Sequence, residues 1–247
     1  MNKKVVFALM SLLLGFPLFS QMTISMDSLS PPQKPFKTEW AFGANGGITL
    51  SKISFNPIIK QDMLFQYAGG LTARYISERN VGIQVELNYS LRGWKEKHDS
   101  IDIYKTTFSV SVPDDSMKLP KYSRSLSYLE IPVMTHIYFD MGSRMRIIFL
   151  LGPQLGYYLN EKIVDSELVT NLSSTLPPYY EKKVQRKFDY GLTGGMGFEL
   201  RTGIGSFVVD GRYYFGLSDI FSNHKSDYFQ ASSNQVISVK LSYLFRK

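Results

Sequence analysis

The sequence predicts an all-β fold, an eight-stranded antiparallel up-and-down transmembrane β-barrel with short periplasmic turns and long external loops. Three observations carry this expectation. Apolar and polar residues alternate with period two in about eight segments from Trp40 onward. The joints between those segments alternate between tight and long. The chain closes on a further alternating stretch, Val239-Lys-Leu-Ser-Tyr243-Leu-Phe245, with aromatics near its C-terminus.

Composition agrees with strands. The 247 residues include 16 Tyr, 17 Phe, 2 Trp and 19 Gly, which favours pleated segments and tight turns over a helical bundle. There is no cysteine, which excludes a disulfide framework, a thiolate metal site, a cysteine nucleophile and an acyl anchor on an N-terminal cysteine. The 28 Lys and Arg against 21 Asp and Glu give +7, a balance compatible with nucleic acid, anionic lipid or acidic partners alike.

In chain order, residues 1–20 read as a signal peptide. Met1-Asn2-Lys3-Lys4 is a short positive region, and Val5 to Phe19 is an apolar run broken by Gly15 and Pro17, too short to span a bilayer as a helix. Ser20-Gln21 is the expected cleavage point, although Leu18 occupies a position that is usually small. Removing these residues takes away Lys3 and Lys4 and no acid, so +7 becomes +5. An exported chain has little use for nucleic acid. Residues 21–38, with Pro31, Pro32 and Pro35 and no periodicity, read as a flexible periplasmic leader, and residues 39–247 as the barrel domain.

A weak first strand is expected at about 40–51. In the second, Phe65, Tyr67, Leu71, Ala73 and Tyr75 oppose Gln66, Thr72 and Arg74. The clearest is 81–92, where Val81, Ile83, Val85, Leu87, Tyr89 and Leu91 oppose Gln84, Glu86, Asn88, Ser90 and Arg92. Leu129, Ile131, Val133, Ile137 and Phe139 then oppose Glu130, Met134 and His136, and in 145–159 Met145, Ile147, Phe149, Leu151, Leu155, Tyr157 and Leu159 share a face. Across 188–201, Phe188, Tyr190, Leu192, Met196, Phe198 and Leu200 oppose Asp189, Thr193, Glu199 and Arg201. Phe207, Val209, Tyr213, Phe215 and Leu217 oppose Asp210 and Arg212, and Ile237, Val239, Leu241, Tyr243 and Phe245 oppose Ser238, Lys240 and Arg246.

The joints at 77–80, 140–143 and 202–205 are tight, and those around 52–64, 93–125, 160–186 and 218–234 are long. All tight turns therefore fall at one end of a meander and all long loops at the other, as in outer-membrane barrels, with both termini periplasmic. A soluble barrel or sandwich also alternates, but there the apolar face is the interior. Here the polar parity carries Glu86, Arg92, Glu130, Asp189, Glu199, Arg201, Asp210, Arg212 and Lys240 at mid-strand. These mixed signs suit a salt-bridged lumen in which Glu130 pairs with Arg74, Arg92 or Arg212. Pro132 should interrupt or bulge a ladder, and glycines 191, 194, 195 and 197 should make room for bulky lumen neighbours and let the sheet curve.

The segment Tyr128-Leu129-Glu130-Ile131-Pro132 and the stretches Gly152-Pro-Gln-Leu-Gly156, Asp189-Tyr-Gly191 through Glu199, and Arg212 through Ile220 resemble the small outer-membrane barrels of Bacteroidota. Within that group the chain is similar to the PorT (SprT) family of type IX secretion and gliding components, over about residues 40–245. The resemblance implies a non-enzymatic outer-membrane protein needed for protein secretion, working with other secretion-system proteins and with no cofactor.

Chemistry of other kinds has little support. His98, His136 and His224 lie in different segments without metal-ligand spacing, and Glu130 and His136 on one strand would stand about 20 Å apart. Ser125 and Ser127 therefore lack an evident triad, although the loop carboxylates Asp114 and Asp115 leave a lipid-modifying enzyme as a distant alternative. Eight strands leave room only for side chains, which argues against a wide pore. The loops hold Tyr104, Lys118, Lys121, Tyr122, Tyr179, Tyr180, Lys182, Lys183 and Arg186, types that suit protein contact or lipopolysaccharide phosphates. The expected partners are thus outer-membrane lipid and lipopolysaccharide, and the alternative function is a general envelope barrel presenting loops for adhesion or envelope integrity.

Overall fold

In the computed structural model, the described residues are 38–96, 123–164, 183–222 and 230–246. The expected signal peptide and leader lie outside them, as do His98, His224, Asp114, Asp115 and the loop residues named above other than Lys183 and Arg186. The strands are β1 (Glu39–Asn56), β2 (Gln61–Asp62), β3 (Leu64–Glu78), β4 (Val81–Glu96), β5 (Ser123–Met141), β6 (Met145–Val164), β7 (Phe188–Arg201), β8 (Ser206–Asp219) and β9 (Ala231–Arg246).

Eight long strands close into a ring. Every neighbouring pair is antiparallel in the order β1, β3, β4, β5, β6, β7, β8, β9 and back to β1, while the two-residue β2 pairs with the far end of β4. The closing seam is long, running from Ala41 opposite Arg246 to Asn56 opposite Ala231. Closure leaves no sheet edge along the ring, which a β-structure in hydrocarbon requires.

The apolar parity points outward. Along β8, Phe207, Val209, Tyr213, Phe215 and Leu217 are exposed, whereas Val208, Asp210, Arg212 and Tyr214 are buried. The same holds in β4, β5 and β7. A wall of exposed Leu, Ile, Val and Phe around a buried set of Arg, Glu and Asp reverses a soluble protein and matches a lipid-facing barrel. Aromatic pairs mark both margins of this wall: Trp40 on Tyr75 (4.6 Å) and Phe207 on Tyr243 (4.8 Å) at the tight-turn end, Tyr157 on Phe188 (5.1 Å) at the other.

Strands extend past the expected limits at the long-connection end. β1 runs to Asn56, β4 to Glu96, β5 starts at Ser123 and β6 reaches Val164. The cause is chemical: here apolar residues lie on the inner parity, so alternation reverses. Ile53, Phe55, Trp94, Leu126, Tyr128, Ile220 and Phe221 form a buried cluster across the mouth, with Ile59, Tyr158 and Val184 against it. Trp94 meets Phe55 at 5.4 Å and Phe221 at 6.5 Å, both edge to face. A second cluster, Ala41, Ile76, Tyr138, Ile148, Val208 and Leu244, closes the tight-turn end.

Prolines interrupt ladders as their missing amide hydrogen dictates. The β4–β5 pairing skips the two positions at Ile131 and Pro132, and the β5–β6 pairing skips those at Gly152 and Pro153. The β5–β6 register shifts between Ser127 and Tyr128, where Leu159 of β6 is the unpaired extra residue. Tyr128 faces inward, while Ser127 keeps the outer parity and accepts from the Tyr89 hydroxyl.

Candidate functional site: a charge-paired interior capped at both ends

Between the two apolar caps, the inner parity builds a stack of ion pairs. At the centre, Glu86 of β4 accepts two hydrogen bonds from Arg212 of β8 (2.8 and 2.9 Å) and one from Lys240 of β9 (3.0 Å). Gln84 and Asn88, two residues to either side on the same face, donate to the same carboxylate at 2.5 and 2.8 Å. Arg212 also binds Asp210, its neighbour at i−2. Strand periodicity supplies these i, i+2 contacts, and ring closure supplies the cross-lumen ones.

Toward the long-connection end, Arg92 bridges two carboxylates, Glu130 at 2.7 Å and Asp189 at 2.7 Å. Its guanidinium lies 4.4 Å from the Tyr214 ring centroid and 5.1 Å from that of Tyr128. Ser218 (2.5 Å) and Asn234 (3.2 Å) donate to Asp189, and Gln154 (3.0 Å) to Glu130. Above them, Arg124 binds Glu161 and lies over Trp94 and Phe221.

Toward the tight turns, Arg74 pairs with Glu199 (3.2 Å) and Gln84 (2.7 Å). Arg201 lies at the rim, partly exposed, between Glu199 (3.6 Å) and Glu39 (3.3 Å), while Arg146 binds Asp140 at 2.6 Å. The other eight charged residues that the sequence places at mid-strand on the polar parity, Glu86, Arg92, Glu130, Asp189, Glu199, Asp210, Arg212 and Lys240, are all buried. Of the motif residues, Tyr128, Glu130 and Pro132 face in and Leu129 and Ile131 face out. The parity pattern did not single out Arg124, Arg146, Asn45 or Tyr214; Arg124 lies beyond its clear alternation, Arg146 opposes the apolar face of 145–159 at that segment's first turn-side position, and Asn45 lies in the weakest strand.

Backbone approach accounts for particular glycines. A Cβ on Gly191 would stand 2.2 Å from the Phe215 carbonyl oxygen and 2.8 Å from the Tyr214 ring, and one on Gly197 would stand 2.6 Å from Asp210 Cβ. Gly194 differs from expectation. It lies on the outer parity, where a Cβ would meet Leu151 of the lipid-facing wall at 3.2 Å.

Catalytic geometry is not assembled among the described residues. Glu130 engages Arg92 and Gln154, Ser125 accepts from Gln66, and Ser127 accepts from Tyr89 at 3.0 Å. His136 is buried with its ring 5.9 Å from that of Tyr138. No group of three or more His, Asp or Glu among the described residues could hold a metal ion.

The sequence pattern of the outer membrane protein beta-barrel domain family matches residues 19–222. No curated protein matches the chain. Among solved structures, OprG from Pseudomonas aeruginosa is 12% identical with a TM-score of 0.47, covering 85% of this chain and 95% of that one. A major outer membrane protein from Thermus thermophilus is 9% identical with a TM-score of 0.46, covering 86% and 100%. Neisserial surface protein A is 14% identical with a TM-score of 0.40, covering 83% and 97%.

Proposed function

Since the chain belongs to the outer membrane protein beta-barrel domain family, we propose that it is a non-enzymatic outer-membrane barrel that supports protein secretion by a type IX apparatus, acting through the surfaces at its two ends. The observation that carries the first half is the interior. Two apolar clusters and an ion-pair network centred on Glu86 and Arg212 occupy the lumen among the described residues, which supports a framework reading. A filled barrel offers a rigid frame and presents what its ends carry.

The secretion role rests on the resemblance to PorT-family barrels through Tyr128-Leu-Glu-Ile-Pro132 and the Gly-rich stretch around Gly194. Its partners are then other secretion-system proteins at the ends and outer-membrane lipid around the wall. Exposed Lys162, Lys183 and Lys187 at the long-connection end suit lipopolysaccharide phosphates. In this orientation the tight turns and both ends of the ring's chain, Glu39 and Arg246, face the periplasm.

Deleting the gene tests the role. Cargo proteins of the secretion apparatus should accumulate in the periplasm and return to the surface on complementation. Normal cargo export together with weakened adhesion or a leaky envelope would instead support the second reading, a general loop-presenting barrel.

A further inference from the structure

Charge at the long-connection end is not spread evenly around the ring. On the β6–β7 side, exposed Lys162, Lys183 and Lys187 lie in one sector, with exposed Asn160 beside them. On the β8–β9 side, the described residues 215–221 and 231–236 contain no Lys or Arg. The neighbouring carboxylates of the basic sector turn inward. Glu161, next in sequence to Lys162, accepts from Arg124 Nε at 3.0 Å, and Asp189, two residues after Lys187, pairs with Arg92 at 2.7 Å.

Backbone contacts fix where the lysines stand. The Tyr158 amide donates to the Lys187 carbonyl at 2.7 Å, which sets Lys187 one step beyond the edge-to-face pair of Tyr157 and Phe188 (5.1 Å) at the margin of the lipid-facing wall. The amides of Gln185 and Arg186 donate to the Ile220 carbonyl at 3.2 and 3.1 Å, so residues 185–187 are held between β6 and β8. On β6, Lys162 stands opposite Ser125, beyond the unpaired Leu159. Exposed Leu155, Leu159 and Phe188 belong to the wall itself. Apolar wall, aromatic margin and cations thus follow one another along β6 and the start of β7. A lipid presents its acyl chains, interfacial groups and phosphate in that same order.

We propose that this sector is a preferred site for the phosphorylated glycolipid of the outer leaflet, the lipid A part of lipopolysaccharide. Its acyl chains lie along Leu155, Leu159 and Phe188, its sugar phosphate meets Lys162 and Lys187, and the Asn160 amide suits a sugar hydroxyl. The β8–β9 side, without lysines among its described residues, takes lipid without preference. The inference rests on the outer-membrane reading above and adds which lipid is held and on which side.

The chain has no cysteine, so one fluorophore can be attached at Leu159→Cys on β6 or at Leu217→Cys on β8, both exposed positions. The full chain is folded in phosphatidylcholine vesicles with a rising fraction of lipid A that carries a quencher on one acyl chain, and folding is followed by heat-modifiable migration on gels. Quenching at position 159 should saturate at fractions where position 217 still follows random lipid contact. Lys162→Gln/Lys187→Gln should raise the half-saturating fraction at position 159 roughly twentyfold, since a lysine beside an anionic surface gives about a fivefold gain. Dephosphorylated lipid A should show no preference, and phosphatidylglycerol with the same quencher a weaker one. Equal quenching at 159 and 217, a preference unchanged by the double variant, or one equally strong for phosphatidylglycerol would overturn the proposal. A chain with no heat-modified band in vesicles would overturn the outer-membrane reading itself, and this proposal with it.

Discussion

Glu86 and Arg212 are 126 residues apart in sequence and meet across the lumen through two hydrogen bonds of 2.8 and 2.9 Å. That contact ties β4 to β8, strands on different sides of the ring, and with Lys240 and Asp210 it fixes the centre of the barrel. A bidentate pair is specific in direction as well as strong, so it constrains how the strands are staggered around the ring.

Breaking this pair on one side should be more harmful than removing both members. Glu86→Leu alone or Arg212→Leu alone leaves a buried uncompensated charge and should cost about 3–5 kcal/mol in urea unfolding of vesicle-folded protein. The double variant should cost less than the sum of the two, the shortfall measuring their coupling.

Arg92 does more than carry charge. Because its guanidinium spans Glu130 and Asp189 and lies over Tyr214 and Tyr128, Arg92→Lys should fail to restore stability and should remain about 2 kcal/mol below the parent in the same unfolding measurement.

Depth on the outer wall should set the cost of a charge. Leu241 is exposed on the outer face of β9 at the level of Gly46, away from either margin, so Leu241→Arg should lower stability by about 2–4 kcal/mol. Phe245→Arg, at the tight-turn margin, should cost about 0–1 kcal/mol.

Adding one methyl at Gly191 should prevent assembly. A Cβ there would overlap the Phe215 carbonyl oxygen at 2.2 Å, and backbone cannot yield as a side-chain tip can. Gly191→Ala should show no heat-modified band on gels, whereas Gly211→Ala, with open space around it, should fold as the parent does.

How much of this was legible depends on which physical rule governs each stretch. Along β8 Phe207, Val209, Tyr213, Phe215 and Leu217 face out and Asp210 and Arg212 face in, so both strand and facing follow from period two, although Val208 and Tyr214 are apolar residues on the inner face. The rule fails at Trp94 and Leu126, where the end of the lumen is itself apolar, and the strands therefore run beyond their expected limits. Arg124 sits in that same reversed zone, so its pairing with Glu161 left no periodic trace. Parity also assigns residues to a face without giving the stagger between strands. It offered Glu130 three possible cations, and the β4–β5 register, which places Glu130 opposite Asn88 and four residues from Arg92, selects Arg92.

The central claim is that the odd-numbered face of β8 meets lipid while the even-numbered face meets a filled lumen. The absence of cysteine permits single-cysteine variants at Val209, Tyr213 and Phe215, facing out, and at Val208, Tyr214 and Ser218, facing in. Reacted in folded vesicles with an apolar maleimide dissolved in the bilayer, the first three should label readily and the last three only after unfolding. Equal labelling of both sets, or preference for the even positions, would contradict the account.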